Sequence, residues 1–378
     1  MKEYKEDIKF LIDKIEEIHP NPYLYYDKIL FYKDLEELSN KNLRIDEFKY
    51  ELIKCVSKLN DPHTNSLYKR SLFFEVKVIN NKVYVIHDYR NLNSKYLYKE
   101  IKRINGVDIQ DIIPYIIEII PTNNKEWQKA MIEFNLLSKE FLKSINIIKD
   151  EEYYIELEDG SIIDGNKEES KTAKCLITYF DHKEISKDTY YVKYSKCYSP
   201  VPNIIEEFLD EVIENIKIKS PKNIIIDLRD NTGGKSSYFT KFYNFLKEQK
   251  DINYFTLIDE YVFSSGRWAL QEMLELNSIV IGTPPGAYKD VFGEVKRIFL
   301  PNSKIEFGCS SKYFKYEDSN FNEYTKENIN MITDYKEELF IPDYLVEQSI
   351  EDYKEGKDIV INKALELINN YSKGVKKW

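Results

Sequence analysis

NIIIDLRDNTGG, residues Asn223 to Gly234, sets an almost wholly apolar run against a polar turn that ends in two glycines. Ile224, Ile225 and Ile226 follow one another without polar alternation, so the segment reads as a strand buried on both faces, in a sheet covered by helices. After the glycines, Tyr238, Phe239, Phe242, Phe245 and Leu246 recur at helical spacing over Ser237 to Lys247. The same rhythm extends outward on both sides. A helix is expected over Ile204 to Ile218 ahead of the strand. Strands are expected at Asn253 to Ile258 and Ser278 to Ile281, with a helix from Gly266 to Leu276 between them. Strand and helix alternating at this spacing define βαβ units and an α/β fold.

The rest of the chain has a different texture. Ile8, Leu11, Ile12, Ile15 and Ile18 repeat every three or four residues until His19-Pro20 ends the run. Phe31 to Leu38 and Ile45 to Leu59 read as further helices, and LNDPHTNS at 59–66 closes this small lobe. From Phe73 onward, FFEVKVINNKVYVIHDY alternates around Asn80-Asn81, a hairpin signature. Glu100 to Ile109 reads as strand, Asn105-Gly106 turn and strand. Helical patterns follow from Ile112, the clearest being Trp127 to Phe141. Tyr153 to Thr189 is rich in strand formers broken at Asp159-Gly160 and Asp164-Gly165. These shifts divide the chain into a helical lobe at 1–66, a strand-rich domain at 67–122, and an α/β core at 123–378 whose helical and hairpin lead-in runs to about 200.

Composition bounds the function. The 378 residues, 42% hydrophobic with 31 Tyr and 20 Phe, can bury a large core and argue against disorder. With 55 basic and 65 acidic residues the net charge is −10, the wrong sign for binding phosphates non-specifically, so no nucleic-acid partner is expected. Cys55, Cys175, Cys197 and Cys309 lie far apart with no CxxC spacing, which suggests buried thiols rather than a zinc site or a disulfide framework. The first twenty residues interleave charges and lack the apolar centre of a signal peptide. The most apolar stretch, Ile112 to Pro121, holds Pro114 and Glu118 and falls short of the ~20 residues that span a bilayer. The expectation is a protein without stable membrane insertion, cytoplasmic unless a leader has been removed.

Three places could carry chemistry, and each also has a plain structural reading. Gly233-Gly234 leaves backbone N–H groups open at a helix start, where they can meet a developing negative charge; it is also an ordinary strand-to-helix turn. Ser264, in FSSG at 263–266, is either an N-cap or a nucleophile whose oxyanion is held by the N–H of Ser265 and that of Gly233 or Gly234. No G-x-S-x-G elbow is present, which disfavours an α/β-hydrolase. His63 in LNDPHTNS is either a surface loop residue or a general base, with Asp61 and Thr64 beside it as supports. His19, His87 and His182 are less well placed.

In order, these pieces form a series: L-x-D-x-H-T at 59–64, I-x-x-I-N-G-V at 101–107, IIIDLRDNTGG at 224–234, FSSG at 263–266, IG-x-P-x-G at 281–286, F-G-E at 292–294, FLPNSKIEF at 299–307, and IPDYLVEQSIEDYKEGKD at 341–358. Over about residues 59 to 370 the series resembles the C-terminal processing (tail-specific) and tricorn-like serine peptidase family, in its histidine-dependent subgroup. The resemblance implies a crotonase/ClpP-like layered α/β core, a helical amino-terminal lobe and a PDZ-like strand-rich insert that binds extended peptide by strand addition. It implies hydrolysis of peptide or unfolded polypeptide by Ser264 with no cofactor or metal, in a cleft between domains, and leaves the oligomeric state open.

The family activates its serine with either a lysine or a histidine. Lys289 lies 25 residues after Ser264, yet aligning on Gly286 and Phe292-Gly293-Glu294 places Tyr288 where the lysine would fall. Asp290 beside Lys289 also opposes the lowered pKa that a lysine base needs, so His63 is preferred. Where many relatives carry glutamate three residues after the nucleophile, this chain has Arg267, which either faces an anionic substrate group such as a terminal carboxylate or points to solvent. Glu337 and Glu338, shortly before Pro342-Asp343, are the nearest candidates for a third catalytic group. Rival readings are a Ser-Lys peptidase using Lys289 and a non-catalytic relative that binds peptide or a hydrophobic ligand.

Overall fold

The computed structural model describes residues 2–70, 74–91, 94–166, 178–317 and 320–372. These form a mixed α/β protein of two compact units, Met1–Cys175 with Lys289–Glu337, and Leu176–Tyr288 with Glu338–Trp378.

The second unit is built on the strand that the isoleucines predict. Asn223–Asp227 is buried at every position. It pairs in parallel with Asn253–Ile258 on one side, Ile225 opposite Phe255, and with Thr189–Tyr194 on the other, Ile225 opposite Tyr191. Parallel strands Ile279–Gly282 and Tyr344–Leu345 extend one edge, and Phe180–Ser186 closes the other in antiparallel fashion, giving a six-stranded sheet among the described residues. The helices Ile204–Lys219, Ser237–Lys247 and Ser265–Glu275 fall where the periodicity places them. The carboxy-terminal helix Ile359–Ser372 sets Val360, Ala364, Leu367 and Ile368 against Ile225, Phe255, Leu257 and Ile281 of the sheet. Each such aliphatic side chain removed from water contributes on the order of 2 kcal/mol, which is why the strand has no polar alternation.

The apolar run stops at an ion pair whose Asp227 end is buried. Arg229 donates to Asp227 at 2.6 Å and to Asp358 at 2.7 Å, fastening the strand's carboxyl end to the start of the last helix. Because the central strands are parallel, the turns after Asp227, Ile258 and Gly282 all leave the same edge of the sheet. That edge is where open α/β sheets place their ligands.

The first unit carries the helices Lys2–Ile18, Lys28–Ser39 and Ile45–Ser57. A hairpin of Phe74–Ile79 and Lys82–Asp88 turns at Asn80 and Asn81, both at positive φ, 52° and 60°. A four-stranded sheet joins Val107–Asp108, Ile101–Ile104, Tyr154–Leu157 and Ile162–Asp164, so strands far apart in sequence share one sheet. The hairpin around FLPNSKIEF is present, Val291–Phe299 pairing with Glu306–Glu317.

Two expectations are corrected. Trp127 to Phe141 is not one helix but two, Lys125–Asn135 and Lys139–Ser144, because the Ser138 hydroxyl accepts the Phe141 N–H and starts a new helix. The helix expected from Ile112 begins at Ile109, where Asp108 accepts the Gln110 N–H as its cap. Cys55, Cys197 and Cys309 are buried free thiols; Cys175 and part of the strand-rich stretch before Thr189 lie outside the described residues. No helix among the described residues is long and apolar enough to cross a membrane.

Candidate active site

The strand Asn253–Ile258 leads through Asp259–Phe263 into Ser264 and the helix Ser265–Glu275. Ser264 stands at the N-cap position, yet its side chain makes no capping hydrogen bond. The capping alternative is therefore not realised. Its backbone, at φ 51° and ψ −122°, lies in a region that side-chain-bearing residues rarely adopt and that costs on the order of 1–3 kcal/mol. The surrounding turn holds it there: the Tyr261 N–H donates to the Asp259 carboxylate at 3.0 Å, and the Phe263 N–H to the Asn231 carbonyl at 3.0 Å.

The glycine turn lies directly against this serine. A Cβ on Gly233, which sits at φ +99°, would come within 2.7 Å of both Ser264 Cβ and Ser265 N. Only glycine fits. The Gly233 N–H is engaged by Asn231 Oδ1 at 3.0 Å. The N–H groups of Gly234 and Ser265, in contrast, have no acceptor among the described residues. Of the two glycine donors that the sequence leaves open, the geometry thus favours Gly234. Two orphan donors at a helix start beside a strained serine are suited to a developing oxyanion.

Asn231 organises the turn, and sequence reasoning did not single it out. Fully buried, it donates from Nδ2 to the Tyr194 carbonyl at 2.8 Å and accepts the Gly233 N–H and, at 3.5 Å, the Cys197 thiol. Its own carbonyl receives the Phe263 N–H. One side chain and its backbone therefore join three separate segments. A carboxamide can donate and accept at once, which suits this position, but its partners are invisible in sequence.

Further along the helix of Ser264, Glu272 is buried with the Thr240 hydroxyl donating to it at 2.6 Å. Burial pushes its carboxyl up to about 7, against the lowering effect of that hydrogen bond. Arg267 is 1% exposed, so the expectation that it points to solvent is not met.

The first unit holds His63. Its loop is tied by Asp61, a fully buried carboxylate that accepts from the His63 backbone N–H at 3.0 Å, Thr64 Oγ1 at 2.5 Å and Ser310 Oγ at 2.6 Å, with His19 Nε2 at 3.2 Å. Burial opposes the ionisation of Asp61, but its His19 and Ser310 hydrogen bonds and the two imidazoles hold it down at about 2. Asp61 thus grips the backbone of the histidine loop. Thr64 passes the support on by accepting the Ser310 N–H at 3.0 Å. His19, ranked below His63 by sequence, is a buried member of this knot.

The remaining candidates are spread between the units. Glu337 is exposed and accepts from Asn60 Nδ2 at 2.7 Å, in the first unit; Glu338, also exposed, belongs to the second. Lys289 belongs to the first unit, and its neighbour Asp290 accepts from the Tyr313 hydroxyl at 3.2 Å and the Tyr316 N–H at 2.9 Å. Among the described residues no group of three or more His, Cys, Asp or Glu side chains is placed to hold a metal.

No protein-family model matches the sequence, and no curated protein matches it. Solved structures do. Mature CPAF complexed with lactacystin superposes at a TM-score of 0.67 with 12% identity, covering 98% of this chain and 100% of that one. A Parabacteroides merdae protein assigned to the peptidases gives 0.50 with 15% identity over 97% and 96%. The photosystem II D1 C-terminal processing protease gives 0.49 with 10% identity over 92% and 94%. At these identities the likeness is one of fold, and the chain shares the fold of mature CPAF along its whole length.

Proposed function

We propose that this chain is a serine peptidase acting on polypeptide substrates. Ser264 attacks the peptide carbonyl, His63 accepts its proton and returns it to the leaving amine, and the N–H groups of Ser265 and Gly234 hold the oxyanion. The observation that carries this reading is the Ser264 turn, a strained, uncapped serine at a helix start beside two unengaged N–H donors. Asp61 and Thr64 serve the base by fixing its loop, and His19 steadies Asp61. The core would be of the crotonase/ClpP-like kind, and the strand-rich segment at 67–122 would present an edge to extended peptide in the PDZ manner.

The test is labelling with a fluorophosphonate and cleavage of casein, wild type against Ser264→Ala, His63→Ala and Lys289→Ala. Label and cleavage should vanish with Ser264→Ala, fall at least ~10³-fold with His63→Ala, and persist with Lys289→Ala. Activity that survives His63→Ala but is lost in Lys289→Ala would transfer the base role to Lys289. A wild-type protein with no Ser264-dependent label would defeat the reading.

A further inference from the structure

Immediately before the glycine turn in space, though some 35 residues earlier in sequence, runs Tyr198-Ser199-Pro200-Val201-Pro202. Its start is pinned to the turn as a parallel bridge between Cys197 and Gly234: the Cys197 N–H donates to the Gly233 carbonyl at 3.0 Å and the Lys235 N–H to the Cys197 carbonyl at 2.7 Å. Contact is close enough that a Cβ on Gly234 would lie 2.3 Å from the Cys197 oxygen and 2.9 Å from Tyr198 Cβ. Cys197 is fully buried, while Tyr198 and Val201 are 63% and 54% exposed. Two prolines stiffen the segment, and the Val201 N–H donates to Ser199 Oγ at 3.1 Å. A single exposed apolar residue needs no explanation. An exposed tyrosine packed against the turn whose Gly234 N–H has no acceptor among the described residues, with a second exposed apolar residue three positions further along a stiff segment, does.

We infer that Tyr198 and Val201 form an apolar wall that selects an apolar or aromatic side chain on the substrate residue whose carbonyl is attacked. The inference rests on the peptidase reading above. A carbonyl oxygen bound to the Gly234 N–H must sit about 3 Å from that nitrogen. An extended chain advances ~3.3 Å per residue, so the side chain of that residue, or at most of its neighbour, falls within reach of Tyr198. The wall discriminates by charge as well. Lys235 follows Gly234 directly, its ammonium 4.9 Å from the Tyr238 ring centre, and a cationic substrate side chain would meet it as a like charge.

The experiment compares coumarin-amide tetrapeptides that differ only at the residue whose carbonyl is attacked, Phe, Leu, Ala or Lys, on wild type, Tyr198→Ser, Val201→Ser and Tyr198→Phe, with fluorophosphonate labelling of Ser264 in each. Expected in wild type is a preference of ~10-fold or more in kcat/KM for Phe and Leu over Ala, the scale of one apolar contact, with Lys poorest. Tyr198→Ser should collapse that preference, Val201→Ser should reduce it, and Tyr198→Phe should keep it, with labelling rates unchanged throughout. A preference that persists in Tyr198→Ser and Val201→Ser while labelling is intact overturns the inference and leaves the peptidase reading standing. So does a changed oligomeric state of Tyr198→Ser with unchanged preference, which would assign the face to a second copy of the chain. Absence of a label in the wild type overturns both.

Discussion

Replacing Asn231 with alanine separates a positioning role from a merely structural one. The substitution removes the acceptor of the Gly233 N–H and the donor to the Tyr194 carbonyl, bonds of 3.0 and 2.8 Å between buried groups. Each orphaned group costs about 1–3 kcal/mol, so the folded state should lose on the order of 2–6 kcal/mol. That loss alone would be structural. Under the proposed mechanism the activity effect comes from geometry: with Gly233 untethered, the Gly234 N–H loses its fixed aim, and an oxyanion donor that is lost or misdirected costs ~10²–10³ in kcat. Steady-state kinetics on a coumarin peptide, the second-order rate of fluorophosphonate labelling, and urea unfolding read the two effects apart. The expected result is a kcat lower by ~10²-fold with KM changed by less than about twofold, and labelling slowed in proportion. Asn231→Asp keeps the acceptor for Gly233 but sets a second oxygen against the Tyr194 carbonyl. Its activity relative to wild type at the same pH should rise as the pH falls and the carboxyl gains a proton to donate. A folded Asn231→Ala enzyme with wild-type kcat, however destabilised, would refute the positioning role.

Other outcomes follow from the same geometry. Gly233→Ala places a Cβ 2.7 Å from Ser264 Cβ at a φ of +99°, so unfolding measurements should show a loss of about 1–3 kcal/mol or more, and the Ser264 label should be lost with it. Asp61 has a pKa depressed from 3.8 to about 2; its stabilisation is therefore complete above about pH 4 and lost as the pH falls through 2. Thermal melts between pH 5 and 2 should show this loss, on the order of 2 kcal/mol, and Asp61→Asn should flatten it. Glu272 has the opposite sign: raised from 4.5 to about 7, it stabilises below pH 4.5 and loses that contribution as the pH rises through 7. Glu272→Gln should be the more stable protein at pH 8 by a few kcal/mol, and an unchanged melting profile would count against its burial as a neutral acid.

Much of the fold was legible because local physics enforces it. Ile224 to Ile226 have no polar alternation, and only a sheet covered on both faces accommodates that, so the strand and its flanking helices lie within a residue or two of their expected bounds. Asn80-Asn81 turned the hairpin since asparagine tolerates positive φ. Trp127 to Phe141 is helical as expected except for a break at 136–138, because a hydrophobic period does not register a serine that caps a second helix within it. At the candidate site, the sequence by itself determined residue types: a serine at a strand-to-helix junction, a glycine pair, and a histidine in a polar loop. Only tertiary structure decided their state. Ser264 as uncapped and strained, Gly233 as engaged donor, Asn231 as the joint of three segments and Tyr198 as neighbour of Gly234 all depend on contacts between segments distant in the chain. Such contacts form because parallel strands deliver their turns to one edge of the sheet, and no local pattern of residues encodes which turns will meet there.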